Sequence, residues 1–553
     1  MQRSIHSLAA VEFDIVVIGG GITGACLAWD AVNRGLSVAL IDKNDFGAET
    51  SSASSKLLHG GIRYLQQGKP GKVRESALER VYYQKIAPHL CRYIPFVVPA
   101  YKTLLKSKWV LYAGMLTYQL ICLGQNRHLQ DRAKRVPGWK RLSKSQLAEY
   151  IPDIRLQDVT GGVVFYESHM QSSERMTLAF IASAAGQGAQ VANYVSADSF
   201  ISDNHTIRGI HATDLMSGDT FKISAKCVVN AAGPWIPLLN DALSKDRLVT
   251  AFSKGAHIVT DKITANAAIA LATKKQNTAI INRGGRHVFI IPWRDHSLIG
   301  TTYDAYQDDL NKVHPTEDDI NELITDINSA LGHEVLDRGK VRYSYAGIYP
   351  LIDDEINTRV YQGTGEYQVI DHAESEQIEG LLTVFGAKFT TARLLAEKAL
   401  DKLAGKFANK LAKCQTRSRP LSCGDIPDIN QFRSAKQAQY GHLLSEKIID
   451  HLVTLYGTEI DQLVTYVEQD QKWARRLSDT QLDIEAQLIY AAEYEMICHL
   501  DDFIFRRSGL GTLGAPGDVL LARCIEILAD ELSWDTARQA QERARVQQYY
   551  RYE

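Results

Sequence analysis

Three glycines and one acid carry the first chemical signal in this chain. Gly19, Gly21 and Gly24 follow the apolar run Asp14-Ile15-Val16-Val17-Ile18, and Asp42 closes a second apolar run that begins at Leu36. That order reads as strand, glycine turn, helix, strand, acid. Gly19 permits the tight turn, and Gly21 removes a side chain where a pyrophosphate must approach the backbone. Gly24 lets the helix pack closely on the sheet. The helix opens at Ile22 and Thr23 and aims its free N–H groups and positive dipole end at the phosphates. The Asp42 carboxylate, with Lys43 next to it, can accept both hydroxyls of an adenosine ribose. A dinucleotide is the expected ligand, and the glycines alone do not separate a nicotinamide from a flavin.

Two other junctions suit the same ligand. A strand ends at Asn230-Ala231-Ala232-Gly233-Pro234-Trp235, whose small residues let backbone pass close to a nucleotide; a plain strand-to-helix turn is the alternative. The strand at 381–385 runs into Gly386-Ala387-Lys388-Phe389-Thr390-Thr391 and a helix to Leu403, a second N-terminus able to face an anion.

The elements that must position these residues follow from periodicity and punctuation. The first strand is expected to start at about residue 11, with the preceding residues leading straight into it and no signal-peptide pattern among them. Residues 74–85 read as helix, Pro88, Pro95 and Pro99 then break the chain into extended pieces, and 107–150 are helical and turn-rich. Residues 173–187 read as an amphipathic helix, 190–194 as a strand, and 207–214 with 220–229 as a hairpin turning at Ser217-Gly218. Further strands are expected at 256–260, 288–291 and 298–301. Beyond a basic stretch and a proline loop, a separate helical domain begins near residue 425.

A chain of 553 residues exceeds a single core, so two or three domains are expected. A formal charge of -2 supplies no net field for nucleic acid. The eight cysteines are scattered with no C-x-x-C pair, which fits neither a zinc cage nor a disulfide framework, so no metal is expected and a cytoplasmic setting is. Residues 109–124 carry no charge and follow Lys102, Lys106 and Lys108. They fall short of the ~20 residues that span a bilayer, which leaves two readings: a buried cap helix, or a basic-flanked helix in the membrane interface.

Taken together, these blocks resemble the FAD-dependent glycerol-3-phosphate dehydrogenases of the D-amino-acid-oxidase-like flavoenzymes. The resemblance rests on the dinucleotide turn, on Thr50-Ser51-Ser52-Ala53-Ser54-Ser55-Lys56-Leu57-Leu58-His59-Gly60-Gly61-Ile62-Arg63-Tyr64-Leu65, and on Lys254-Gly255-Ala256-His257. Ile299-Gly300-Thr301-Thr302, Phe385-Gly386-Ala387-Lys388-Phe389-Thr390-Thr391 and Asp502-Phe503-Ile504-Phe505-Arg506-Arg507 extend it over nearly the whole chain. It implies an α/β FAD-binding domain, Rossmann-like and of the glutathione-reductase and D-amino-acid-oxidase type. An α+β substrate domain interleaves with it, and an all-α C-terminal domain follows. The FAD-binding parts would fall at about 11–65, 155–250 and 345–413, the cap parts at about 66–154 and 251–344, and the helical domain at 425–553.

The resemblance also implies FAD as cofactor, a small substrate whose C2 carbinol yields a hydride, and a quinone acceptor at the inner face of the cytoplasmic membrane. Thr50, Ser51, Ser55, Lys56, Leu57 and His59 would wrap the flavin, with Ala232 and Gly233 on the nucleotide, and Gly386, Lys388 and Thr390 beside the ring. Arg63 and Lys388 are the family-position cations for a phosphate, with Tyr64 adjoining, and a guanidinium suits a phosphate through its bidentate fork. Arg63 bound to a structural carboxylate is the alternative. His257 is the candidate base, against a strand histidine satisfied by its neighbours; His59 is a second candidate base, or a flavin contact. The C-terminal domain carries no catalytic signal, and dimerisation or stabilisation of the flavin region is expected of it.

The chain departs from the family in its substrate pocket. Family members typically carry arginine before the proline of the Tyr345-Ala346-Gly347-Ile348-Tyr349-Pro350-Leu351 stretch; here that position is Tyr349. A second expected arginine is missing around residues 363–367, with Arg359 upstream. At roughly 1.5 to 3 kcal/mol for each charge-assisted hydrogen bond, two such losses weaken phosphate binding by about two to four decades. Three outcomes are compatible. The phosphate is held by Arg63, Lys388 and a replacement such as Arg342 or Arg286; or a different, less charged alcohol or amine is oxidised; or turnover is lost and a flavin-binding protein remains.

Overall fold

The computed structural model describes residues 1–104, 106–152, 158–240, 251–264, 266–272, 287–351, 367–386, 388–407 and 410–551. Its organising element is the strand Glu12–Ile18, whose last four residues are all buried. A run apolar on both faces fits a strand inside a parallel sheet whose two faces are both covered. Val38–Ile41 lies parallel on one side and Thr220–Asn230 on the other, with Leu381–Gly386 parallel beyond the latter. Ile18 pairs with both Ile41 and Asn230, so the chain leaves all three strands at the same edge of the sheet. Gly19, Asp42 and Ala231 thereby meet at one carboxyl edge, where doubly wound sheets bind ligands. The expected hairpin forms between Thr206–Asp214 and Thr220–Asn230.

The helices Ile22–Asn33, Ser173–Gly186 and Ala392–Leu403 contribute to one apolar cluster with this sheet. Ser173–Gly186 is not amphipathic as the sequence predicts: every residue from Ser173 to Ile181 is buried. Its outer side is covered by the C-terminal region, where Arg175 pairs with Glu495 at 2.5 Å.

A second, ten-stranded sheet carries the cap. Ala251–Asp261, near one end of that sheet, pairs antiparallel with Val341–Leu351 and His296–Gly300, setting His257 opposite both Tyr345 and Gly300. Pro95 and Pro99 do not break the chain as expected. They lie inside one strand, Cys91–Tyr101, opposite Tyr166 and Gly162 of Val159–Met170. The strand's other neighbour meets it only at Phe96 and Val97, so few ladder donors are needed on that edge.

The start of the chain also departs from expectation. Ile5–Ala10 is a short helix, capped by the Ser4 side chain, that buries Leu8 before the first strand. Six residues are too few for periodicity to announce a helix. The C-terminal region is helical but only partly separate. Ile429–Tyr440, Glu446–Tyr456 and Ile460–Gln469 build a core of their own. Asp502–Arg507 and Asp518–Leu532 instead share a core with Leu57, Tyr64, Trp293 and Tyr343 of the cap, and Ala486–Tyr494 contributes to both cores.

The uncharged stretch forms the helix Lys108–Ile121, capped by Ser107, with Leu111, Met115 and Tyr118 turned inward. Its opposite face shows Trp109 69% exposed and Leu120 65% exposed, with Leu116 and Leu123 also in solvent. The inward face fits the cap-helix reading, and the other face is apolar and exposed. No helix among the described residues is long and apolar enough to cross a membrane.

Candidate dinucleotide and substrate site

A cleft runs from the carboxyl edge of the first sheet to the face of the second. At its sheet end the glycines do three different jobs. Gly19 takes φ +104°, and a Cβ there would meet the Ala231 carbonyl at 2.7 Å. A Cβ on Gly24 would fall 1.8 Å from the Gly19 oxygen, so only glycine lets the helix seat on the turn. A Cβ on Gly21, at the helix N-cap, would meet only the Ser51 hydroxyl, at 3.0 Å; this is the opening for a phosphate. The Ile22 N–H donates to Ser51 Oγ at 2.9 Å, so Ser51 sits over that helix end, and Thr23 lines the same wall.

Asp42 is held from two sides. Gly20 N–H donates to one carboxylate oxygen at 2.6 Å and Asn44 N–H to the other at 2.8 Å, leaving lone pairs for hydroxyls in the cleft. Burial raises its pKa to about 7 against those two hydrogen bonds, with Asp45 and Glu49 adding to the rise. Lys43 stands at the rim, 4.2 Å over the Trp235 ring and bonded to Asn311. Ala232 and Gly233 form part of the wall. This set of an open helix end, an acid with free lone pairs and small-residue walls fits a dinucleotide, and FAD supplies a hydride acceptor when bound there.

The serine loop divides its labour. Thr50 Oγ1 donates to the Ile348 carbonyl at 2.7 Å, tying the loop to the second sheet. Ser55 Oγ meets His257 Nε2 at 2.8 Å. Lys56 departs from its expected place: its ammonium turns away from the cleft to Glu174 at 2.5 Å and to Ser52 and Ser173. A buried ammonium needs that carboxylate, which leaves its backbone as the group able to reach a flavin. Leu57 likewise pairs in a short strand with His169 and is not part of the cleft wall.

At the far end Lys388 lines the cleft, beside the turn Phe389–Thr391 that opens the helix Ala392–Leu403. Its ammonium lies 3.6 Å from the centre of the Tyr64 ring. Arg63 lies 4.8 Å over Phe289, and the His59 ring is 6.1 Å from the same ring. His59 N–H donates to Thr390 Oγ1 at 3.1 Å. Burial holds His59 down to about 3, with the charges of Arg63, Lys388 and Arg80 pushing the same way. The family-position cations are thus brought together. A Cβ on Gly386 would meet the Leu395 side chain at 2.6 Å, so that leucine would have to shift.

His257 lines the cleft, stacks on Tyr345 at 5.1 Å, and is only 4% exposed. Burial, with a smaller push from Lys56, lowers its pKa to about 3, so it is neutral at pH 7 but a weak base while so enclosed. Tyr345, which sequence reading passed over, donates to the Ser54 carbonyl at 2.7 Å and backs the histidine. Tyr349 is on the wall. Arg342 does not replace the missing cation: it pairs with Asp261 at 2.8 Å on the surface. Arg286 and Arg359 lie outside the described residues.

Residues 14–401 match the family described as FAD dependent oxidoreductase, and 414–539 the C-terminal domain of alpha-glycerophosphate oxidase. The glycerol-3-phosphate dehydrogenase of Synechocystis sp. is 30% identical over 100% of this chain and 98% of its own length. The mitochondrial glycerol-3-phosphate dehydrogenase of Bos taurus is 31% identical over 98% of this chain and 74% of its own. The solved glycerol-3-phosphate dehydrogenase of Bacillus halodurans, complexed with FAD, superposes with a TM-score of 0.78 at 26% identity. It covers 99% of this chain and 96% of that one.

Because ribose hydroxyls donate to the ionised acid, ligand binding should draw Asp42 down from about 7 and release a proton. Affinity for FAD should therefore rise with pH up to about 7 and then level off. Titration calorimetry near pH 6.5, in buffers of different ionisation enthalpy, should show proton release that Asp42→Asn removes. Identical proton release by that variant would place the titrating group elsewhere.

Proposed function

The chain belongs to the FAD-dependent oxidoreductases, among the glycerol-3-phosphate dehydrogenases, and we propose that it oxidises sn-glycerol 3-phosphate to dihydroxyacetone phosphate. The observation that carries this reading is Lys388 on the wall of the dinucleotide cleft, with its ammonium over the Tyr64 ring and the neighbouring Arg63 charge also felt at His59. Two cations suit a phosphate, and Arg63 can trade its ring contact for a bidentate one. His257 would take the carbinol proton at Nε2, the atom now bonded to Ser55, and FAD held in the cleft would supply the hydride acceptor. Stacking on Tyr345 fixes the plane of the imidazole for that transfer. Tyr349 on the wall favours a second reading, a less charged alcohol or amine.

Anaerobic bleaching of the flavin absorbance separates these readings. Glycerol 3-phosphate should bleach it rapidly where glycerol and small amines do not. His257→Gln should slow bleaching by about two to four decades, the usual range for a lost general base. Bleaching by an unphosphorylated alcohol or amine alone would retire the phosphate assignment. Unchanged bleaching by the variant would move the base elsewhere.

The electrons then pass to a quinone, and the outer face of Lys108–Ile121 provides the contact with the membrane that holds it. Trp109, Leu116, Leu120 and Leu123 present an apolar band, and Lys108 lies 5.4 Å from the Trp109 ring at its edge. Beneath the helix, Met115, Tyr118, Trp139 and Phe165 line a cavity on the side of Arg80 and Gly60, a suitable entry for a flat apolar ring. In flotation with anionic vesicles, Trp109→Ser/Leu120→Ser should leave the lipid fraction and lose quinone-linked turnover while keeping anaerobic bleaching. Full vesicle binding by that variant would exclude this face.

A further inference from the structure

The motif Asp502–Arg507 lies far from the cleft in sequence, and nothing in the reaction calls for it. It forms a π-helical turn with every residue buried. Its two arginines converge on one acid. Arg507 grips Asp45 with both terminal nitrogens, at 2.7 Å and 2.9 Å, and Arg506 Nε adds a third contact at 2.7 Å. Asp45 is 1% exposed and lies three residues after the ribose acid Asp42, in the loop that supplies Lys43, Asn44, Ala48 and Glu49 to the cleft. Burial alone would raise the Asp45 carboxyl; Arg507 and Arg506 override it and hold it well below the usual carboxylate range.

Two further threads join the C-terminal region to the same loop, one of them through the motif itself. Asn193 Nδ2 donates to Asp45 at 3.0 Å and to the Met496 carbonyl at 2.9 Å. The Tyr194 hydroxyl donates to Asp502 at 2.5 Å, while Tyr194 N–H reaches the Asn44 carbonyl and Val195 N–H the Asp42 carbonyl. The turn is itself braced by the last helix, Thr536–Gln548: Arg545 meets Asp501 at 2.6 Å, and Tyr549 just beyond it donates to the same carboxylate at 2.9 Å.

From this geometry we propose that Arg506 and Arg507 are positioning residues for the cofactor, and that the C-terminal region sets FAD affinity by clamping the Asp42–Glu49 loop through Asp45. A buried ion pair gains little stability over an apolar replacement, and its directional contacts suit it to fixing a loop. Asn44 N–H, which holds the Asp42 carboxylate, is the last link between clamp and ribose. The proposal rests on FAD occupying this cleft.

The test is the FAD dissociation constant, read by flavin fluorescence on full-length protein, beside the thermal midpoint of the FAD-free form. The unaltered protein must first bind FAD; if it does not, the cofactor reading fails and not the clamp. Arg507→Met should raise the constant by about 10-fold to 100-fold, the scale of losing a charge-assisted contact. Arg507→Lys, keeping charge without the fork, should fall between. Asp45→Asn/Arg507→Met should recover part of the loss, because no uncompensated buried anion remains. An unchanged constant in Arg507→Met, even with a lowered midpoint, would make the contact merely structural and overturn the proposal. Should that variant not fold, Asp45→Asn decides: a weakened FAD complex supports the clamp, and an unaltered one overturns it.

Discussion

Everything at the site depends on how closely one helix approaches one turn. The Gly19 carbonyl occupies the space that a side chain on Gly24 would need, and the Ala231 carbonyl occupies the space beside Gly19. Two parallel strands and the helix between turn and cleft are therefore locked at a distance that only glycine permits. The consequence is electrostatic: the N-terminus of Ile22–Asn33 opens into the cleft a short reach from Asp42, itself held by Gly20 and Asn44. A larger residue at either glycine would push the helix end away from the phosphates it serves.

Around that fixed point, buried ion pairs place the remaining parts. Lys56 and Glu174 tie the serine loop to Ser173–Gly186. Arg80 and Gly60 N–H both donate to Glu167, while the Tyr118 hydroxyl donates to the Gly60 carbonyl, fixing the turn that launches Arg63. Arg393 joins Glu79 to Glu397, anchoring the helix that begins next to Lys388. Desolvation takes back much of what such pairs gain, so their value lies in direction. The apolar clusters supply the stability and the charges set the coordinates.

What the sequence disclosed, and what it hid, divides along the same line. Gly19, Gly21, Gly24 and Asp42 were legible because turn, helix and acid are local, with fixed spacing. The gathering of Arg63, Tyr64 and Lys388 came only through the family resemblance, since no periodicity links residues 63 and 388. Lys56 misled because sequence shows a cation and not the carboxylate that consumes it. Tyr345 was visible as a residue, but its stacking on His257 depends on the register of Val341–Leu351 against Ala251–Asp261. Asp45 gave no signal, because its partners lie 461 and 462 residues away. Helices covered on both sides, such as Ser173–Gly186, misled for a related reason: their second face is buried by a region distant in the chain.

The central claim is that Lys388 and Arg63 hold the phosphate of a three-carbon substrate presented to His257. A crystal structure of the FAD-loaded protein with dihydroxyacetone phosphate tests it most directly. The account predicts phosphate oxygens within hydrogen-bond distance of Lys388 Nζ and the Arg63 guanidinium, and the C2 oxygen facing His257 Nε2. A phosphate bound elsewhere, with Arg63 still seated on Phe289, would contradict it.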